Sequence, residues 1–250
     1  MMQKSRQSWD DKKDVIIPGS KEATLQFCVE HLLQAYLEAI KDHGAFRIAL
    51  SGGSTPKAIF LKLTTTPFVQ EINWKKVHLF WSDERSVLPD NPESNYHMAM
   101  EAGFAKVGIP TTQIHRMVAE KNIQEEAVAY ENLLKKEIGT QGFDYLCLGM
   151  GDDGHTASLF PGTEALFVTG RQVVANYVPQ KDTWRMTFTF SCINAAKKIV
   201  LYVLGENKKE KILEVFSSKE SSYPVQSVGT KNHKALWILD EAAASLLFPK

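Results

Sequence analysis

Cysteine is scarce in this chain of 250 residues: Cys28, Cys147 and Cys192 are odd in number, far apart, and set in apolar or helical surroundings. They lack CxxC spacing and offer neither a disulfide framework nor a zinc set, so a reducing, cytoplasmic compartment is expected. Neither sign of charge dominates, with 29 Lys and Arg against 29 Asp and Glu. No overall field therefore selects nucleic acid or an anionic membrane as partner, although a local pocket for a small anion is still allowed. No uninterrupted apolar stretch reaches the length of a membrane span. Residues Met1 to Lys13 are polar and mixed in charge, without the apolar core of a secretory signal. That segment, 1–13, is expected to be a disordered tail ahead of a single domain over 14–250. Repeats, low-complexity stretches and long Pro/Gly/Ser-rich linkers are also missing, which argues against further division.

What the chain does have is alternation. From about Val15, short apolar runs alternate with segments of helical spacing, the pattern of an α/β fold built on a single open, mostly parallel sheet with helices on both faces. Strands are predicted at Phe46–Leu50, Val77–Trp81, Tyr145–Met150, Val173–Val178, Met186–Phe190, Ile199–Leu204 and Ala235–Leu239, with a short one at Ile114–Met117. Helices are predicted over Lys21–Asp42, Thr55–Leu63, from near Ser94, over Ile123–Ile138, from Ser191, over Lys208–Phe216 and over Glu241–Leu247.

Three loops at the carboxyl ends of predicted strands carry the chemistry, and that end of a parallel sheet is where ligands bind. The run Gly149-Met150-Gly151-Asp152-Asp153-Gly154-His155 turns sharply on its glycines and delivers an imidazole, a candidate general base. A tight turn with a capping histidine is the plainer alternative. Ser51-Gly52-Gly53-Ser54-Thr55-Pro56 opens a helix after a strand, so its backbone N–H groups and hydroxyls suit a monophosphate. It is neither a GxGxxG fingerprint nor a P-loop, and an ordinary N-cap competes with the anion reading. Trp81-Ser82-Asp83-Glu84-Arg85 either orients a polar or anionic substrate or is a local ion pair on a solvated turn. Arg185 and Lys208 can supply charge to a phosphate. His78, alternating with apolar residues, reads as structural, and His31, His43, His97, His115 and His233 have no constellation around them. No established metal-ligand spacing occurs, so neither metal nor cofactor is expected.

Together and in this order, SGGSTP (Ser51 to Pro56), WSDER (Trp81 to Arg85) with NPESNY (Asn91 to Tyr96), GMGDDGHTASLFPG (Gly149 to Gly162), RMTFTFSCINAAKKIVLYVLG (Arg185 to Gly205) with Lys208, and LWILDEAAA (Leu236 to Ala244) resemble the 6-phosphogluconolactonases of the pentose phosphate pathway. These belong to the wider glucosamine-6-phosphate isomerase/lactonase superfamily. The resemblance spans nearly everything from Val15 onward. The related isomerases typically read DGHIAFNEPG, with a glutamate before the proline that helps open the sugar ring; here Phe160 precedes Pro161 and cannot transfer a proton. They also tend to carry DEY in place of Asp83-Glu84-Arg85. Ser82 stands where many lactonases have glycine, and Thr163 where histidine is frequent.

The resemblance implies hydrolysis of 6-phospho-D-glucono-1,5-lactone to 6-phosphogluconate, with the sugar-phosphate lactone as the small-molecule partner and functional coupling to glucose-6-phosphate dehydrogenase. On that reading His155 takes the proton of the attacking water and returns it to the ring oxygen. Asp152 orients the imidazole, with Asp153 as the alternative, and backbone N–H groups around Gly151 to Gly154 receive the oxyanion. Gly52, Gly53, Ser54 and Thr55, with Arg185 and Lys208, hold the phosphate. Arg85 contacts phosphate or lactone, and Asp83 binds sugar hydroxyls. An aminosugar-phosphate isomerase and a non-catalytic sugar-phosphate sensor are the competing readings.

Overall fold

The computed structural model describes residues 6–139, 141–218 and 222–248. Four strands, β3 (Phe46–Leu50), β6 (Tyr145–Leu148), β9 (Ile199–Val203) and β10 (Ala235–Leu239), buried throughout except at half-buried Arg47, form the middle of a seven-stranded sheet. Their continuous apolar runs are what a parallel strand covered on both faces requires. The edges are β4 (Val77–Trp81) on one side and β2 (Lys13–Ile16) with β1 (Gln7–Ser8) on the other, in the order β1-β2-β10-β9-β6-β3-β4. All neighbours are parallel except β1 and β2.

Helix α1 (Lys21–His43) starts on Ser20, whose side chain accepts from Ala23 N, and stops at Gly44 in the left-handed region (φ 83°). Its buried stripe, including Leu25, Cys28, Val29, Leu32 and Tyr36, faces the sheet and the neighbouring α2 (Ser54–Leu63). The remaining helices are α3 (Asn95–Glu101), α4 (Ile123–Glu137), α5 (Phe190–Asn194) and α6 (Lys209–Ser217). No helix among the described residues is long and apolar enough to cross a membrane.

From β3 the chain passes outward to β4, then returns to lay β6 on the other side of β3. The connections therefore diverge between β3 and β6, which opens a crevice at their carboxyl ends.

Four expectations change. Strands β7 (Val173–Val178) and β8 (Thr183–Phe188) leave the large sheet and, with β5 (Asp83–Arg85), make a separate antiparallel sheet in the order β5-β8-β7. The two are consecutive, joined by a short turn, and antiparallel pairing is what such a connection permits. Residues 114–117 form no strand: one bridge, Leu79 to Ile114, is all that pairs there. Residues 241–247 are successive turns rather than a helix, because the Asp240 carboxylate is shared between Gly205 N and Ala243 N and the later bonds close over three or four residues without repeating. The amino-terminal segment is not a free tail from residue 6: Gln7 and Ser8 pair with Val15 and Asp14, Arg6 reaches Asp14 at 2.6 Å, and Lys13 is buried. Residues 1–5 lie outside the described residues.

Candidate active site

A cleft of about 220 Å³ sits where β3, β4, β6 and β9 end, lined by the loops that follow each of them. It gathers Gly52, Gly53, Ser54, Thr55, Asp83, Arg85, His155 and Lys208 into one site; the loops after β3 and β6 face it from either side of the crevice.

The loop after β6 is folded around His155. Gly151 N donates to His155 O at 2.9 Å and Gly154 N to Gly151 O at 3.1 Å. His155 Nδ1 lies 2.5 Å from Asp153 Oδ1, which also accepts from His155 N at 3.1 Å. A carboxylate only accepts, so Nδ1 is the donor of this pair, and in the neutral ring the lone pair is then on Nε2. The imidazole is stacked on Phe160, centroids 3.9 Å apart and planes 20° from parallel. Asp153, not Asp152, is thus the acid bonded to the imidazole. Asp152 is turned to Lys208 Nζ at 2.5 Å, and Lys208 also donates to Met150 O at 3.0 Å. Residue 153 is two positions before His155 and reaches both its N–H and its ring, whereas Asp152 points out of the loop, largely exposed, to the distant Lys208. The N–H groups of Gly151 and Gly154 are spent within the loop and cannot also receive an oxyanion.

Burial alone would raise the Asp153 carboxyl. The charge of His155 and hydrogen bonds from its ring and backbone outweigh that and hold it below its ordinary 3.8. A carboxyl depressed by folding adds stability above its unfolded pKa, and that contribution is lost as pH falls through the folded value. Wild-type stability is therefore expected to drop more steeply below pH 3.8 than that of Asp153→Asn. Thermal unfolding followed across that acid range checks this; parallel curves would contradict it.

On the opposite wall, Gly53 is the N-cap of α2 (φ 108°) and no side chain caps this helix, unlike α1, α3 and α5, which are capped by Ser20, Ser94 and Thr189. The first-turn N–H groups of α2 have no intrahelical acceptor and are left facing the cleft. The ordinary N-cap reading of Ser51, Ser54 and Thr55 therefore does not hold for their side chains. Gly52 is required by close approach: a Cβ there would lie 1.9 Å from Asn95 Oδ1.

The strand β5 splits the acids of the third loop. Glu84 is buried and turned away from the cleft, accepting from Ser94 Oγ and from the N–H groups of Arg85, Asn95 and Tyr96, so it caps α3; burial nonetheless raises its pKa. Asp83 faces the cleft, held by Ser158 Oγ at 2.6 Å and Asn95 Nδ2 at 3.3 Å. Arg85 stands opposite Arg185 in the β5–β8 register, so Arg185 lies inside its strand instead of heading it. Neither Nε has a hydrogen-bond partner among the described residues. Burial, then the like charge of Arg85, lowers the Arg185 pKa. Arg185 is not among the residues lining the cleft itself; it reaches the site as the neighbour of Arg85.

Sequence reasoning did not single out Asn95, Ser158 or Ala157. Asn95 lies in the NPESNY segment, whose match could have flagged it. Ala157 lines the cleft with φ 48°, a left-handed conformation uncommon for a residue with a Cβ, and nothing in the sequence signals it.

A family model described as glucosamine-6-phosphate isomerases/6-phosphogluconolactonase matches residues 19–237. The chain is similar to the 6-phosphogluconolactonase of Chlamydia pneumoniae, 42% identical over 235 residues that cover 93% of this chain and 90% of the relative. It is 39% identical to the 6-phosphogluconolactonase of Nostoc sp. over 245 residues, covering 94% and 99%. Among solved structures it is similar to the crystal structure of devB protein, with a TM-score of 0.86 and 33% identity over 94% of this chain and 100% of that one. A monomeric glucosamine-6-phosphate deaminase shares the fold, with a TM-score of 0.79 at 18% identity over 93% of this chain and 99% of that one.

Proposed function

The chain belongs to the glucosamine-6-phosphate isomerase/6-phosphogluconolactonase family, and we propose that it is a 6-phosphogluconolactonase, hydrolysing 6-phospho-D-glucono-1,5-lactone with His155 as general base. The observation that carries the reading is the Asp153–His155–Phe160 stack set across one cleft from the uncapped start of α2. Nε2 takes a proton from the water that attacks C1. The tetrahedral intermediate then expels the ring oxygen, and the proton on Nε2 passes to it, leaving a free hydroxyl and a carboxylic acid that releases its own proton to solvent. Asp153 positions the ring through both steps. The remote phosphate is held by the N–H groups of Gly52, Gly53, Ser54 and Thr55, by Arg185 beside Arg85, and by Lys208. Two of the three Lys208 donors are engaged, leaving one for the substrate. Asp83 takes sugar hydroxyls. Holding the phosphate converts remote binding energy into orientation at the carbonyl. The reaction needs no cofactor on this reading. It takes place in the cytoplasm as the second step of the oxidative pentose phosphate pathway, consuming the lactone that glucose-6-phosphate dehydrogenase releases.

The isomerase reading is disfavoured by Phe160, a side chain without a transferable proton lying flat on the imidazole. Generating the lactone in situ from glucose 6-phosphate and following its loss against spontaneous hydrolysis tests the proposal. Acceleration without ammonia release from glucosamine 6-phosphate is expected; ammonia release without acceleration would overturn it.

Charge-assisted hydrogen bonds contribute about 1.5–3 kcal/mol each. Arg185→Met is therefore expected to raise KM roughly 10- to 100-fold with little change in kcat. Steady-state kinetics check this, and an unchanged KM would remove Arg185 from the phosphate site.

A further inference from the structure

Outside the cleft, on the edge strand of the large sheet, three elements bring together side chains that the sequence leaves unconnected. His78 lies on edge strand β4, three residues before its cleft end, roughly 10 Å at a strand's rise. His115 follows the bridge of Ile114 to Leu79, and Glu137 is the last residue of α4. One ligand atom from each lies within 4.8 Å of the others. His115 is clamped: its N–H donates to Leu79 O, its carbonyl accepts from Tyr130 OH, and its ring is stacked on Phe80 with centroids 4.4 Å apart.

The separation of the two imidazoles is informative. His78 Nδ1 and His115 Nε2 are 3.5 Å apart, long for an N–H···N hydrogen bond, whose usual length is about 3.0 Å. It is close to the roughly 3.3–3.4 Å between donors of a tetrahedral ion with bonds of about 2.0–2.1 Å. The rings lie 10° from parallel, so half-buried His78 must turn about its soft χ2 to aim its lone pair at a shared ion. Among the described residues the ion pair of Glu137 is with exposed Lys136 at 3.4 Å, a loose contact that lets the carboxylate close the remaining distance. Arg47, the register partner of His78, gives its Nη1 to Gln141 Oε1. Imidazole and carboxylate donors in this number suit zinc-class ions rather than calcium or magnesium.

We propose that His78, His115 and Glu137 bind a zinc-class divalent cation, with water in the fourth position, as a structural site pinning the 114–117 segment and the end of α4 to the edge strand. The test uses metal-stripped full-length His155→Ala, so that the cleft imidazole contributes nothing, titrated with zinc chloride by calorimetry and with cobalt by visible absorption. One equivalent of zinc, a rise in Tm and the intense visible bands of tetrahedral cobalt are expected. Adding His78→Ala or Glu137→Gln should abolish all three while leaving the metal-free Tm unchanged. No uptake by the parent, or undiminished uptake by both added variants, would overturn the proposal.

Discussion

Replacing His155 by alanine is expected to lower kcat for lactone hydrolysis about 10²- to 10⁴-fold, the usual contribution of a positioned general base, with 6-phosphogluconate binding nearly unchanged. The split follows from the geometry. The imidazole is fixed between Asp153 and Phe160 on the β6 side of the crevice, whereas the uncapped start of α2 lies on the β3 side. Removing the ring takes away the proton acceptor and leaves the phosphate donors in place. Because the lactone also opens spontaneously, the measurement is the rate in excess of that background, with calorimetry of the product for binding. Wild-type turnover by the variant would exclude His155 as the base. Equal losses in turnover and product affinity would instead mean that His155 holds substrate.

Gly151→Ala is expected to reproduce most of that loss without touching a reacting group. A Cβ at Gly151 would lie 2.1 Å from both Cε1 and Nδ1 of His155 and 2.9 Å from Asp153 Oδ1. Those distances are incompatible with the imidazole where it stands, so the ring must leave the carboxylate. Misplacing a catalytic group by about 1 Å can cost roughly 10²-fold, and kcat is expected to fall by at least that much while KM moves little. The double variant Gly151→Ala/His155→Ala is expected to be no slower than His155→Ala alone, since the glycine acts only through the ring. Additive losses would show that Gly151 serves catalysis by another route. Tm is expected to stay near wild type, because His155 is on the cleft surface and not in the core.

The framework and the loops were legible in the sequence for one reason: both are written in local pattern. The strands Phe46–Leu50, Val77–Trp81 and Ala235–Leu239 occur at the residues expected, because an apolar run bounded by glycine or charge has few other uses in a parallel sheet; Val173–Val178 also occurs where expected, though in the antiparallel sheet. Pairing is a different matter. Nothing local in Val173–Val178 or Thr183–Phe188 states that they join Asp83–Arg85 rather than the large sheet. The same limit applies within the site. Choosing between Asp152 and Asp153 required knowing that Lys208, more than fifty residues later, takes the first of them. The capping of α3 by Glu84 and the facing of Arg85 and Arg185 are likewise tertiary facts. Spacing excluded a metal set in a single segment, and it could not reveal three proposed ligands drawn from β4, the 114–117 segment and α4.

The most direct test of the site is a crystal structure of the wild-type protein with 6-phosphogluconate bound. The expected result places the phosphate on the N–H groups of Gly52 to Thr55 within reach of Arg185, and the C1 carboxylate beside His155 Nε2. A ligand bound in the reverse sense, with phosphate against His155 and carboxylate on the α2 loop, would contradict the assignment of base and anchor alike.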